Sequence, residues 1–140
     1  MAEYNGASVV IYYVDGENGN DTNAGTAPVV AWRTIQKAFD EIVSGTLVDG
    51  DEVRIMKTAD DARWYGISAK LTVTWSSKEV VINGANASGV VDGTIVTING
   101  DGLDGSTPMM EISVATADQT IFSNLKFDAD DVAQHCVEIT

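Results

Sequence analysis

One amphipathic helix pattern stands near the start of this chain, and no second one follows it through residues 51–140. From Thr34, a natural N-cap, the residues Ile35, Ala38, Phe39, Ile42 and Val43 recur at helical spacing on one face, and Gly45 ends the run. A helix with a one-sided apolar stripe must lie against something apolar. Only strands are on offer for that. Short runs at 53–56, 71–75, 80–83, 94–99, 109–114, 120–127 and 137–140 are rich in β-branched and aromatic residues, and Gly, Asn, Asp and Ser punctuate them at irregular intervals. A further strand, residues 9–14, precedes the helix, and turn-forming residues fill 15–25.

Seven short strands after a helix also suit a β-sandwich. Two features favour a solenoid. Val81-Ile82-Asn83-Gly84 and Thr97-Ile98-Asn99-Gly100 share an apolar strand ending in Asn-Gly, sixteen residues apart, and short internal repeats belong to folds in which each coil stacks on the last. Tight two-residue hairpins at regular spacing are also missing. Asn83 and Asn99 either stack as an amide ladder at a coil corner or serve as ordinary turn asparagines. The chain reads as a single domain, with residues 1–50 forming the strand, loop and helix and residues 51–140 the first coils.

Composition narrows the partners. With 21 acidic against 8 basic residues the net charge is −13, which opposes binding to nucleic-acid phosphates and suits a solvated acidic surface or a positively charged partner. A hydrophobic content of 44% with 21% charged residues predicts a folded chain. The lone Cys136 excludes an internal disulfide framework. The apolar run at 9–14 is too short for a membrane span or a signal peptide core, so neither a membrane nor an export signal is expected.

An ordered set of motifs adds a resemblance. Tyr12-Tyr13-Val14-Asp15 leads to Gly19-Asn20-Asp21 and Gly25-Thr26, then to Ala31-Trp32-Arg33-Thr34-Ile35-Gln36-Lys37-Ala38, and then to Gly50-Asp51-Glu52-Val53-Arg54-Ile55. This series resembles the opening of the pectate-lyase-like right-handed parallel β-helix superfamily: first strand, Gly/Asn/Asp loop, capping helix, entry to the first coil. The resemblance covers residues 9–56 and implies an all-β solenoid, a right-handed parallel β-helix with one N-terminal capping α-helix. It is nearly silent on function. Openings of this kind occur in bacteriophage virion proteins, in polysaccharide lyases and hydrolases, and in surface proteins. The expectation is a non-enzymatic virion component (tail, spike or capsid decoration) assembled in the host cytoplasm. Its partners would be other virion proteins, further copies of itself as a homotrimer, or a surface polysaccharide. The alternatives are the N-terminal fragment of a polysaccharide lyase or glycoside hydrolase whose site lies in later coils, and a secreted or cell-surface binding module.

Candidate sites are few, and no catalytic residue is assigned. Asp128, Asp130 and Asp131 beside His135 are the nearest thing to paired carboxylates, with Lys126 on the face of Asn124 and Asp128, but they read more simply as a polar corner between strands. His135 and Cys136 are adjacent, so on a strand they point to opposite faces and form no nucleophile pair. Asp15, Asn18, Asn20 and Asp21 offer oxygen ligands at short spacing for Ca²⁺, without the EF-hand order; a rigid turn is the simpler reading. Trp64, Tyr65 and Trp75 are candidate carbohydrate contacts, although packing at coil corners is the simpler reading, while Trp32 is assigned to packing at the cap. The helix stripe carries the first test. Phe39→Asp places a charge where a large apolar side chain is expected, so thermal melting should register a loss of several kcal/mol.

Overall fold

Thr34 starts the helix as its composition predicts. Its hydroxyl oxygen accepts the Lys37 N–H at 3.1 Å, and Gly45 closes the last turn in the left-handed region at φ 95°. In the computed structural model, which describes residues 3–4, 7–75, 79–104, 106–114, 121–129 and 137–139, this helix α1 spans Ile35–Ser44. Ile35, Ala38, Phe39 and Ile42 are buried, but Val43 is 51% exposed: one step past Ile42 carries it around the helix and out of the apolar face.

The strands before and after α1 are β1 (Glu3–Tyr4), β2 (Ala7–Ser8), β3 (Ile11–Val14), β4 (Glu52–Met56), β5 (Leu71–Trp75), β6 (Val81–Ala85), β7 (Val96–Asn99), β8 (Met110–Val114), β9 (Ile121–Ser123), β10 (Leu125–Asp128) and β11 (Val137–Ile139). Only β1 and β2 pair antiparallel. The others build three parallel sheets, ordered β3-β4-β6-β9, β7-β10 and β5-β8-β11. Gly66 extends the second sheet by bridging to Asn99. The chain meets the sheets in a fixed order on each pass: β4, residues 65–67 and β5; then β6, β7 and β8; then β9, β10 and β11.

Parallel register stacks like on like. Tyr12, Val53, Ile82 and Phe122 form one inward column of the first sheet, while Tyr13, Arg54, Asn83 and Ser123 form an outward polar one. Leu71, Met110 and Val137 align in the third sheet. One apolar cluster runs through all three sheets and takes in Trp32 and the buried face of α1.

Two devices cover strand edges next to α1. Gln36 holds Thr72 of β5 by both backbone groups: its amide N–H donates to the Thr72 carbonyl and its amide oxygen accepts the Thr72 N–H, each at 2.9 Å. Along β3, the Tyr13 N–H donates to Gly25, the Trp32 N–H to Tyr13, and the Asp15 N–H to Trp32. Trp32 anchors this loop. It is 1% exposed, stacks on Tyr12 with ring centroids 5.1 Å apart, and donates its indole N–H to Asn23. Gly25, at φ 77°, lies flat on the indole, where a Cβ would come within 2.5 Å of the ring.

The structure departs from the sequence reading in several places besides Val43, among them the short antiparallel pair β1–β2 ahead of residue 9. The first strand begins at Ile11, not at residue 9. A second helix exists: the single turn α2 (Asp61–Trp64), too short for any periodic stripe to reveal. The run at 120–127 is two strands, broken where Asn124 takes φ 56° and turns the chain into the second sheet. Asn83 and Asn99 form no ladder, because they sit in different sheets. Asn83 aligns with Arg54 and Ser123, Asn99 with Gly66 and Asp128. Among the described residues no helix is long and apolar enough to cross a membrane.

Asp51 explains the Gly-Asp pair before β4. It is 1% exposed; one carboxylate oxygen accepts the Val10 N–H and the other the Val48 N–H, both at 2.9 Å, while its carbonyl accepts the Val81 N–H. One residue thus ties three consecutive levels. Asp51→Asn turns one acceptor into a donor facing an N–H, and urea denaturation should show a loss of about 2 kcal/mol.

Candidate functional site

Asp21 fixes the approach to α1. One of its carboxylate oxygens accepts the Arg33 and Thr34 N–H groups at 2.8 and 2.9 Å, and the other accepts the Thr34 hydroxyl at 2.8 Å. Arg33 is therefore held at the mouth of the helix. On the next level, Asp60 caps α2 by accepting the Arg63 N–H, and Asp61 pins the turn from inside. Asp61 accepts from four donors: the Thr58 N–H and hydroxyl, the Lys57 ammonium and the Thr97 N–H. Burial works against its ionisation, but Lys57 and the Thr97 and Thr58 donors outweigh that and hold the carboxyl below its ordinary value.

These two anchors bring Arg33 and Arg63 over the same indole. Their guanidinium carbons lie 5.4 and 4.7 Å from the Trp64 ring centroid. The three side chains border a cleft of about 460 Å³, floored by Tyr65, Gly66 and Ile67 and walled by Ile35, Ser68, Ala69 and Leu71. Tyr65 is 3% exposed. Its hydroxyl accepts the Gly16 N–H and faces the carbonyls of Val14 and Met56, so it joins levels of the stack. Burial pushes its phenol well above the ordinary value, and it stays neutral.

The charge around the cleft is uneven. Lys37, Arg54, Lys57, Lys70 and Lys126 each sit in an ion pair with a carboxylate. Among the described residues Arg33 and Arg63 are the two cations outside such pairs, in a chain of net charge −13. The described lining holds two arginines and no carboxylate, histidine or cysteine.

The residues singled out from sequence fare differently. Trp64 lines the cleft, half-buried, with the Arg33 and Arg63 guanidiniums over its ring. Tyr65 is in the floor. Trp75 lies at the far end of β5 from Leu71. Three of the four residues proposed for Ca²⁺ accept hydrogen bonds within this region: Asp15 from Glu17 and Asn18, Asn20 from Thr22, and Asp21 from Arg33 and Thr34. Among the described residues no three His, Cys, Asp or Glu side chains converge as metal ligands. Asp128 pairs with Lys126 at 2.7 Å on β10, while Asp130, Asp131, His135 and Cys136 lie outside the described residues. Sequence reasoning missed Arg33 and Arg63. The Arg63-Trp64 pair was a visible signal, but nothing local brings Arg33 to it.

The chain matches no protein-family model and no curated protein.

Asp61→Asn tests the anchor beneath the cleft. Removing the charge from a carboxylate with four donors should cost about 3 kcal/mol near neutral pH. Because folding lowers this carboxyl's pKa, its contribution is complete above about pH 4 and fades as pH falls through the lowered value. Denaturation curves of parent and variant should therefore converge at the acid end, and a difference that grows there would contradict the assignment.

Proposed function

We propose that this chain is the helix-capped end of a right-handed parallel β-helix, acting as a non-catalytic structural element of a virion. Its last described pass, β9 to β11, is covered either by further coils of a longer chain or by another subunit, with a homotrimer the arrangement the resemblance favours. The fold reading is supported by three parallel sheets met in a fixed order. The virion assignment rests on the resemblance of residues 9–56.

One observation carries the assembly reading. Along the inward column of the first sheet, Tyr12 is 7% exposed and Val53 and Ile82 are 0% exposed, yet Phe122 is only half-buried. The second sheet repeats this, with Val96 and Ile98 buried and their partners Leu125 and Phe127 half-buried. The apolar interior is closed beside α1 and opens toward β9 and β10, whose edges have no further strand among the described residues. Such an edge is a template for association.

Size-exclusion chromatography with light scattering at micromolar concentration tests this. A discrete multiple of 14.8 kDa is expected, and Phe122→Lys should dissociate it. A stable monomer of 14.8 kDa would overturn the assembly reading.

A further inference from the structure

The cleft beside α1 lies away from the open end and poses a separate question. Two arginines converge there without a carboxylate partner, in a chain where acidic residues outnumber basic ones by 21 to 8. Bringing two like charges over one ring raises their mutual repulsion, and every other described cation has an ion-pair partner. Trp64 offsets part of this through its ring quadrupole, which attracts both guanidiniums. Guanidinium N–H donors suit the oxygens of a carboxylate or phosphate. Behind them the cleft is largely apolar, with Ile67 and Leu71 in its lining and Ser68 at the rim as a hydroxyl. A volume of about 460 Å³ is that of a small-molecule site with room for a ring.

We infer that this cleft binds a compact organic anion: a terminal oxyanion held by Arg33 and Arg63, carried on an apolar ring body that enters the space lined by Ile67 and Leu71. Trp64 acts as the positioning residue for both guanidiniums. This inference does not depend on the assembly reading, since none of these residues belongs to the last pass.

Isothermal titration of the full chain with four probes separates the two components. Benzoate and phenyl phosphate combine oxyanion and ring; benzyl alcohol keeps the ring without the charge, and inorganic phosphate the charge without the ring. Whichever of benzoate and phenyl phosphate binds tighter identifies the preferred oxyanion. The neutral and ring-less probes should bind at least about tenfold more weakly than their counterparts, the scale of one lost charge-assisted contact. Arg33→Gln and Arg63→Gln should each weaken the better probe about tenfold, and the pair together should abolish its binding. Both side chains are exposed, so melting temperatures should stay close to the parent's. In the unmodified chain, affinity should also fall as salt is raised. The inference is overturned if benzyl alcohol matches benzoate, if inorganic phosphate matches phenyl phosphate, if the double variant binds like the parent, or if none of the probes binds.

Discussion

Parallel register is the constraint from which the other features follow. When each strand pairs in parallel with the one a full pass earlier, residues of one kind must stand in columns, and an apolar column is dry only if both its ends are covered. Tyr12, Val53, Ile82 and Phe122 form such a column, and the chain spends much of residues 15–51 finishing its first end. Trp32 is laid over Tyr12, the loop is folded along β3, and α1 is packed across β5. Asp51 then stitches the finished end to the levels that follow. The local chemistry of this region, from turn residues to helix caps, serves that closure.

Much of this was legible in the sequence because it is local. The Thr34 cap, the stripe Ile35-Ala38-Phe39-Ile42 and the Gly45 stop each act within a few residues, so composition alone locates α1. Most strands were legible for the same reason. What could not be read depends on which residues meet across passes. Asn83 and Asn99 share a motif, but the corner between them places them on different sheets, so a repeat in sequence is not a repeat in space. Asn124 breaks its run because the third pass turns there: its carbonyl sits where a Cβ on Gly84 would be, 2.0 Å away, and accepts the Val96 N–H. Glycine at 84 therefore has its reason one level below, in a residue forty positions on.

The cleft follows the same logic. Arg33 belongs to the approach to α1 and Arg63 to a one-turn helix, and each is placed by an aspartate that is wholly local in its action. Only the stacking of levels makes them neighbours. Trp64 was singled out from residue type alone; which side chains lie over its ring depends on the stacking of levels and could not be read locally.

Gln36 has a wider consequence. Its amide occupies the N–H and C=O of Thr72, and residues 25 and 32 occupy β3 in the same way. The stack of described strands therefore has polarity, with the end beside α1 plugged on two of its sheets. A filament grows only when each terminus is a template for its opposite, and here the plugged terminus has no strand positions to lend on those sheets. On the assembly proposed above, copies would therefore meet through ends other than this one, and such contacts saturate instead of propagating. A glutamine side chain and a loop, each imitating a strand that is not there, make this end unfit to extend a filament.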